Sequence, residues 1–294
     1  MTSAPSQHVP VLADEVVTWL RPSAGQTLVD GTLGGGGHTR LLAQSVGNDG
    51  LIIALDRDPA AVELAAAQLQ GLSVRAVEAN YSELPEVLSQ LNIGAVDGIL
   101  LDLGFSSDQL ADPDRGFSFN SAGALDLRFD RSRGEPAWKL VERLSAEHLA
   151  DFIYRYGEER YSRRIARRIV ETRRAAPIKT AADLARIVRE SVPRSRDERI
   201  DPATRTFQAL RIAVNEELKW LEVGLRRLPG CLRPGGRIAV ISFHSLEDRL
   251  VKDAFREDDR LEVCTRRPIR ASENEVAANV RSRSAKLRVA ERRA

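Results

Sequence analysis

Short apolar runs alternate with longer helix-forming segments through the first hundred residues of the chain. The strand-like runs are TLVDG (27–31), LIIALDRD (51–58), LSVRAVEA (72–79) and VDGILLDLG (96–104). Segments typical of helices lie between them, at 38–46, 59–69 and 84–91. Pro59 suits the first position of its helix. Strands that alternate with helices predict an α/β fold with a doubly wound, parallel sheet.

This alternation stops after residue 104. Residues 105–135 are rich in Ser, Asp and Gly and predict a long loop, and residues 137–200 read as helical and rich in arginine. The strand pattern resumes later, with LRPGGRIAVISF (232–243), LEVCTRR (261–267) and AKLRVAER (285–292). We therefore expect one α/β domain that is interrupted by an insertion.

The expected domain boundaries follow from this pattern. Residues 1–107 and 204–294 form the sheet domain, and residues 108–203 form the inserted loop and all-helical domain. Asp201 and Pro202 suit the N-cap and first position of a helix that leads back to the sheet. Apolar residues then recur at spacings of three and four, at Phe207, Leu210, Val214, Leu218, Leu221, Leu225 and Leu228. This stripe predicts one continuous helix that packs on the core.

Composition narrows the class of protein. The 294 residues are 43% hydrophobic with a mean hydropathy of -0.29, enough apolar residues for a sizeable core. The N-terminus has no signal-peptide pattern, and no apolar run approaches the ~20 residues of a membrane span. Two separated cysteines and four histidines form no tight cluster, so no metal site is expected. These features predict a cytoplasmic protein with reduced thiols and no membrane partner.

Four consecutive glycines follow the first strand, in LVDGTLGGGGHT (28–39). They match neither the dinucleotide fingerprint nor the P-loop pattern. The pattern that fits is an acid at the strand end followed by alternating glycines, Asp30-x-Thr32-x-Gly34-x-Gly36. This resembles the first motif of S-adenosylmethionine-dependent methyltransferases, with Thr32 where the first glycine usually stands. An ordinary glycine-rich turn remains the alternative.

Acidic residues end three of the predicted parallel strands, at Asp30, Asp56 and Asp102. Ligands bind at the carboxyl ends of such strands, so the three carboxylates line one crevice. Asp56 lies about 20 residues beyond the glycines, where an acid binds two ribose hydroxyls; dinucleotide enzymes share this feature. The LRPGG turn before the returning strand is typical of methyltransferases. A carboxylate-lined crevice also tolerates the positive charge of a sulfonium.

Seven segments along the chain form a more specific pattern: HVPVL (8–12), DGT with GGH (30–38), LDLG with SS (101–107), RGFSF (115–119), YGEER (156–160), ATRTFQ (203–208) and SFHSLEDR (242–249). Together they resemble the RsmH (MraW) family of bacterial ribosomal RNA methyltransferases. The resemblance covers nearly the whole chain. It implies a Rossmann-like class I methyltransferase sheet, mostly parallel, with an inserted helical domain. It also implies methyl transfer from S-adenosylmethionine to the exocyclic N4 amine of a cytidine in small-subunit ribosomal RNA.

The resemblance further implies which residues contact S-adenosylmethionine. Carried over by position, they are Gly36, Gly37, His38, Asp56, Tyr81, Asp102 and Gln109. Backbone N–H groups at the start of a helix suit the carboxylate of the cofactor, and Asp56 suits its ribose. Tyr81 can lie against the adenine, with an ordinary core aromatic as the alternative. Gln109 offers a donor and an acceptor to the methionine end.

Asp102 is the first candidate for the catalytic residue. A cytosine amine needs in-line positioning, and an acceptor at an amine hydrogen can take its proton. His244 is a second candidate, with a structural loop histidine as the alternative interpretation. Amine-methylating DNA enzymes carry an Asp/Ser-Pro-Pro-aromatic segment here, whereas this chain has DLGFSS (102–107). That difference argues against a DNA amine methyltransferase.

Basic residues predict where RNA binds. Residues 155–211 hold many more basic than acidic side chains, and Arg163/Arg167 and Arg164/Arg168 are like-charge pairs that phosphates would relieve. The loop before them adds arginines and aromatics suited to unpaired bases, at Arg115, Phe117, Phe119 and Arg128. A solvated face and buried packing of both phenylalanines are the alternatives.

The expected partner is small-subunit ribosomal RNA, free or in an assembled 30S-type subunit. The oligomeric state is open, with a homodimer among the alternatives. A non-catalytic ribosome assembly or RNA-binding factor with a methyltransferase fold is the alternative from another class. The presence of both Asp56 and Asp102 argues against it.

Overall fold

The computed structural model describes residues 10–119, 121–193 and 201–294. His8, Val9 and the predicted helical segment at 194–200 lie outside the described residues. The chain forms two compact units: the residues up to Ser106 together with Leu218–Ala294, and Ser107–Glu217. The domain boundaries predicted from the sequence stay a prediction.

The first unit is built on a seven-stranded sheet in the order β3-β2-β1-β4-β5-β7-β6. Its strands are β1 (Thr27–Asp30), β2 (Leu51–Asp56), β3 (Val74–Glu78), β4 (Val96–Asp102), β5 (Leu232–Ser242), β6 (Leu261–Val263) and β7 (Lys286–Arg292). The first five strands are parallel, and β7 runs antiparallel between β5 and β6. This topology confirms the predicted mostly parallel, Rossmann-like sheet.

Helices accompany the strands of the first unit. They are α1 (Ala13–Leu20), α2 (Gly37–Val46), α3 (Pro59–Gln68), α4 (Leu84–Gln90), α11 (Glu217–Arg227), α12 (Ser245–Glu257) and α13 (Glu273–Ala278). The buried strand residues pack into two main clusters. One includes Leu88 of α4, Leu225 of α11 and Phe255 of α12, and the other includes Val16 of α1 and Leu42 of α2. Apolar side chains therefore cover both faces of the sheet, as the near-continuous apolar strands require.

Local signals explain where several helices begin. Asp58 caps α3 by accepting the backbone N–H of Ala60 at 3.2 Å, and Pro59 takes the first helical position as predicted. The helices α1, α12 and α13 were not predicted. His244 caps α12 with its imidazole, a residue type that capping patterns do not include.

The second unit consists of helices and irregular segments. Its helices are α5 (Ser107–Ala111), α6 (Ala137–Arg143), α7 (Ala146–Gly157), α8 (Ser162–Ala175), α9 (Ala181–Ser191) and α10 (Ala203–Asn215). The segment predicted as a loop over 105–135 thus contains α5 and a 3₁₀ turn at Pro113–Arg115. In α8, Ile165, Ala166 and Ile169 are buried while the arginines between them are exposed.

The continuous helix predicted after Asp201 is wrong. Asp201 does accept the backbone N–H of Ala203 at 2.8 Å, but α10 ends at Asn215, and Glu216 takes a left-handed conformation with φ 50°. The Asn215 side chain donates to the carbonyl of Leu127 at 2.7 Å and accepts the N–H of Phe129 at 2.8 Å. A distant chain segment therefore fixes the helix end, although the apolar spacing continues into α11.

The aromatic side chains of the segment before α6 have internal partners. Phe117 is buried and stacks on Phe129 with ring centroids 6.0 Å apart, and Phe119 meets Phe207 edge-on at 4.8 Å. Arg128 forms two hydrogen bonds with Asp126, and Arg115 donates to the carbonyl of Phe129. Packing inside the unit thus accounts for these residues, in line with the alternative to RNA stacking. Across the described residues, no helix has both the length and the apolar character needed to cross a membrane.

A close approach of α7 to α10 generates a prediction about stability. A Cβ added at Gly157 would overlap the backbone carbonyl of Arg205. We expect Gly157→Ala to lower the free energy of unfolding by about 1–3 kcal/mol, since backbone cannot give way like a flexible side chain. Urea titration followed by circular dichroism measures this. Gly94→Ala is the control, because no atom lies within 4 Å of its Cβ position. Equal stability of the two variants would contradict the close approach.

Candidate active site

Three acidic residues lie at the carboxyl ends of adjacent parallel strands. Asp30 ends β1, Asp56 ends β2 and Asp102 ends β4, and β1 pairs with both other strands in parallel register. The sequence prediction that these carboxylates share one edge is therefore confirmed. Crowding of like charges has an electrostatic consequence: Asp30 contributes to raising the pKa of both Asp56 and Asp102.

The glycine segment is tied to the end of β2. The backbone N–H of Gly34 donates to Asp56 Oδ2 at 2.8 Å, and the N–H of Asp58 donates to Asp56 Oδ1 at 2.9 Å. Gly34 and Gly36 both have positive φ angles, 47° and 76°, which glycine adopts without strain. Each Asp56 oxygen keeps a second lone pair for a hydroxyl donor. Burial raises the pKa of Asp56 to about 6 against these hydrogen bonds.

Asp30 serves the architecture of the edge. It is fully buried, and its Oδ2 accepts the hydroxyl of Thr39 in α2 at 2.7 Å. Its Oδ1 accepts the backbone N–H of Thr32 at 3.1 Å. Burial raises the pKa of Asp30 above its ordinary value. The side chain thus fastens the glycine segment and the first turn of α2 to β1.

Thr32 continues this network to Asp102. The Thr32 hydroxyl oxygen accepts the backbone N–H of Asp102 at 2.6 Å. A glycine at position 32, as in the usual methyltransferase motif, would leave that N–H without this acceptor. The sequence interpretation treated Thr32 only as a departure from a motif, and spacing along the chain could not reveal a contact across 70 positions.

The carboxylate of Asp102 is largely shielded from solvent. Its side chain is 13% exposed, and Nε2 of the buried His38 lies 3.7 Å from Oδ2. Among the described residues, no hydrogen-bond donor reaches Oδ1. The pKa of Asp102 is raised to about 7, chiefly by burial; the charge of Arg281 opposes this shift, and repulsion from Asp30 and Glu247 adds to it. Oδ1 is therefore an acceptor that can exchange a proton near neutral pH.

The helix α2 begins where the cofactor residues were predicted. Gly36 is its N-cap, and Gly37 and His38 are its first two residues. The first N–H groups of a helix have no partner within the helix and favour an anion. The arrangement of Gly36, Gly37 and His38 at a helix start is thus as predicted, whereas the approach of the His38 ring to Asp102 was not.

Tyr81 begins the 3₁₀ turn Tyr81–Glu83, which follows β3 and is capped by Asn80. A Cβ at Gly224 of α11 would come within 2.8 Å of the Tyr81 ring, so the ring lies directly on that glycine. The Tyr81 Cβ lies close to Gly31 at the end of β1. Tyr81 therefore stands next to the glycine segment while also packing against the core, which leaves both interpretations of its role in place.

His244 has a structural role in the loop after β5. Its Nδ1 accepts the N–H of Glu247 at 3.3 Å, and its Nε2 lies 3.0 Å from Glu247 Oε1. Glu247 in turn accepts the N–H of Phe243 at 2.8 Å. These contacts favour the loop-histidine alternative over a catalytic one. Gln109 lies buried on α5 in the second unit, and its cofactor contact stays a prediction.

Arg281 is a functional candidate that the sequence did not provide. Its guanidinium donates to the carbonyl of Phe105 at 2.6 Å and lies 5.9 Å from the centre of the Phe105 ring. Phe105 follows Asp102 by three residues, so Arg281 holds the segment leaving β4 and lowers the pKa of Asp102. A separation of 176 positions hides this contact from any local pattern.

Comparison with known proteins places the chain among methylases. The model of the MraW methylase family matches residues 5–293. Ribosomal RNA small subunit methyltransferase H of Rhodopirellula baltica is 50% identical over 99% of this chain and 93% of that protein. The proteins of the same name from Deinococcus radiodurans and Sorangium cellulosum are 52% and 51% identical, over 98% and 97% of this chain and 90% and 91% of theirs.

The contacts of Asp56 generate a prediction about cofactor binding. We expect Asp56→Ala to weaken S-adenosylmethionine binding by about 1.5–3 kcal/mol, because it removes charged hydrogen bonds. Wild-type affinity should also fall as pH drops through about 6, where the carboxylate is protonated. Titration calorimetry at two pH values measures both effects. Asp49→Ala, at an exposed site, is the control for lost charge. An affinity unchanged in Asp56→Ala would overturn the assignment.

Proposed function

The chain belongs to the MraW methylase family, and on this premise we propose that it methylates the N4 amine of a cytidine in small-subunit ribosomal RNA. The methyl donor is S-adenosylmethionine, and the protein is an enzyme of the methyltransferase class. The observation that carries the proposal is Asp102 Oδ1, a buried acceptor at the sheet edge that no donor among the described residues reaches. It lies at the strand end next to the glycine segment, where this fold binds ligands.

The residues at the edge fit S-adenosylmethionine. Asp56 can accept the two ribose hydroxyls, and the start of α2 at Gly37 and His38 can bind the carboxylate. The negative charges of Asp56 and Asp102 suit a sulfonium, which brings no phosphate and needs no phosphate loop. Tyr81 and Gln109 complete the proposed set, at the adenine and at the methionine end.

The proposed chemistry at Asp102 is acceptance of a proton. When bound, S-adenosylmethionine supplies an electrophilic methyl group. A cytosine amine has its lone pair conjugated with the ring, so a hydrogen bond from the amine to Asp102 Oδ1 helps the nitrogen become tetrahedral. The N–C bond would form as the S–CH3 bond of the sulfonium breaks, with S-adenosylhomocysteine as the neutral leaving group. The amine proton would then pass to the carboxylate of Asp102, whose pKa of about 7 lets it accept the proton and later release it to water.

Thr32 fixes the strand end that carries this carboxylate, and the His38 ring lies beside it. Thr32 accepts the Asp102 backbone N–H, which fixes the strand end. His38 lies beside Oδ2 and leaves Oδ1 as the acceptor, which gives the two oxygens different tasks. Neither residue needs to touch the substrate for this role.

The rival functions are disfavoured by particular residues. A DNA amine methyltransferase would carry two prolines after the acid at this strand end, where this chain has Leu103 and Gly104. A non-catalytic assembly factor would not need a buried hydrogen-bond acceptor such as Asp102 Oδ1 at the sheet edge. We place the enzyme in the cytoplasm, where its RNA substrate is found; a homodimer and the choice between free RNA and the assembled subunit stay predictions.

Incubation with labelled S-adenosylmethionine tests this function. The acceptor is small-subunit RNA, or the assembled subunit, from cells that lack the protein, and mass spectrometry locates the methyl group. We expect one cytidine to gain one methyl group on N4. Methylation of another base or of DNA, or cofactor binding without transfer, would overturn the proposal in favour of one of the rivals.

Asp102→Asn separates catalysis from cofactor binding. The amide keeps the size and one acceptor oxygen but cannot take a proton. We expect single-turnover methyl transfer, with both substrates saturating, to fall by roughly 10²–10⁴-fold. Cofactor affinity, measured separately, should change less. A saturated rate within a few-fold of wild type would show that Asp102 only holds the cofactor.

The same residue predicts a pH dependence. Asp102 must be ionised to accept a proton, and its pKa is raised to about 7, so the rate should rise with pH through an inflection near 7 and level off above it. The positive charge of the bound sulfonium shifts the inflection downward. Single-turnover rates from pH ~5 to pH ~9 measure this, because one pH unit on either side of a pKa already covers most of a titration. Asp102→Asn should lack the inflection; a wild-type rate independent of pH would contradict the role.

The arginines of α8 generate a prediction about RNA binding. Arg163, Arg164, Arg167 and Arg168 are all exposed; among the described residues only Arg168 of these four has ion-pair partners, Glu171 at 3.9 Å and Glu190 at 4.0 Å. Changing all four to Gln should weaken RNA binding and lower its salt slope by about 0.7–0.9 for each lost phosphate contact. Cofactor affinity should not change. Filter binding at several salt concentrations measures the slope; an unaltered slope would indicate a merely solvated face.

A further inference from the structure

A groove of about 900 Å³ runs between α7 and α8, entirely within the second unit. Its basic lining residues are His148, Arg155, Arg160, Arg163 and Arg167. Its acidic lining residues are Glu147 and Asp151. Arginine therefore outnumbers acid along the groove by four to two, and two of the four arginines come from α8.

The arginines that line the groove differ in the interactions that they already form. Asp151 pairs with Arg155 at 2.8 Å, and Arg160 lies 4.6 Å from the centre of the Tyr161 ring. Arg163 and Arg167 have no ion-pair partner among the described residues, and both are exposed. They stand four positions apart on one helix face, where their mutual repulsion favours an anionic ligand.

An aromatic side chain lies in the same groove. Tyr154 is 63% exposed, whereas Ile153 beside it is fully buried. The exposed ring of Tyr154 therefore does not form part of the hydrophobic core of the second unit. An exposed aromatic ring among arginines is the arrangement on which unpaired bases stack, because every base offers a π-face and its phosphates meet the cations.

Resting on the proposed function, we propose that the groove between α7 and α8 binds a single-stranded segment of the ribosomal RNA, outside the target nucleotide. Arg163 and Arg167 bind its phosphates, and Tyr154 stacks on one base. The bases of a duplex are stacked on one another inside the helix, so none of them can stack on the Tyr154 ring. An acidic protein segment could use the arginines but has no planar base for the ring, so RNA fits both features.

Binding of defined oligonucleotides tests the role of the ring. The probes are a twelve-nucleotide oligouridylate and a blunt RNA duplex of about the same length, near the site size of one single-strand binding module. We expect Tyr154→Ala to weaken the single strand by roughly 5- to 150-fold and the duplex hardly at all. Tyr154→Phe should bind like wild type, because the ring and not the hydroxyl is used. Equal affinities of Tyr154→Ala and wild type would overturn the proposal.

The salt slope tests the role of the arginines. Arg163→Gln and Arg167→Gln should each lower the slope for the single strand by about 0.7. Arg174→Gln is the matched control, since Arg174 is exposed on the same helix but does not line the groove. An equal change in all three variants would show a diffuse charge effect. Displacement of the oligouridylate by polyglutamate at the same concentration would indicate an acidic protein partner instead, and would also overturn the proposal.

Methyl-transfer assays separate this inference from the function on which it rests. With small-subunit RNA as substrate, Tyr154→Ala should raise the KM for RNA by a factor similar to its loss of oligonucleotide affinity. Absence of methyl transfer by the wild-type protein would refute the proposed function. A wild-type protein that transfers methyl groups, beside a Tyr154→Ala variant with the same KM, would refute only the groove.

Discussion

The buried carboxylate of Asp30 is the interaction on which the active edge of the sheet depends. It joins Thr39 of α2 to the end of β1 and accepts the backbone N–H of Thr32, and the hydroxyl oxygen of Thr32 accepts the backbone N–H of Asp102. A buried carboxylate is costly unless it is hydrogen-bonded, so loss of these donors would leave an uncompensated charge. The same bonds that stabilise Asp30 therefore fix the relative positions of the glycine segment, the start of α2 and the end of β4.

This arrangement gives different roles to three aspartates that all stand at strand ends in the sequence. Asp30 uses its oxygens on the protein itself, and Asp56 uses one lone pair of each oxygen on the backbone of Gly34 and Asp58. At Asp102 it is the backbone N–H that Thr32 binds, and no donor among the described residues reaches Oδ1. The architectural Asp30 thus lies on the middle strand, between Asp56 and Asp102, which both keep acceptor capacity for a ligand. Burial raises the pKa of all three residues.

The sequence predicted those parts of the molecule that follow from local pattern. Strands β1 to β5 appear as apolar runs, and the acids at the ends of β1, β2 and β4 predicted the edge. The direction of β7 could not be predicted, because pairing direction leaves no mark on the alternation of a strand. The end of α10 was missed because Asn215 is fixed by Leu127 and Phe129, far away in the chain. Thr32 and Arg281 were missed for the same reason: their partners lie 70 and 176 positions away.

Strands β4 and β5 pair although the whole second unit lies between them in the sequence, and this has a consequence for synthesis of the chain. β4 is apolar and lies at the centre of the finished sheet, yet β5 begins only at Leu232, after the whole of Ser107–Glu217. At translation rates of ~5–20 residues per second, the edge of β4 stays unpaired for roughly 6 to 26 seconds before β5 is synthesised. An unpaired apolar edge is a template for aggregation during that time. We therefore expect chaperones to bind the nascent chain at the stage when β1 to β4 have formed and β5 has not yet been synthesised.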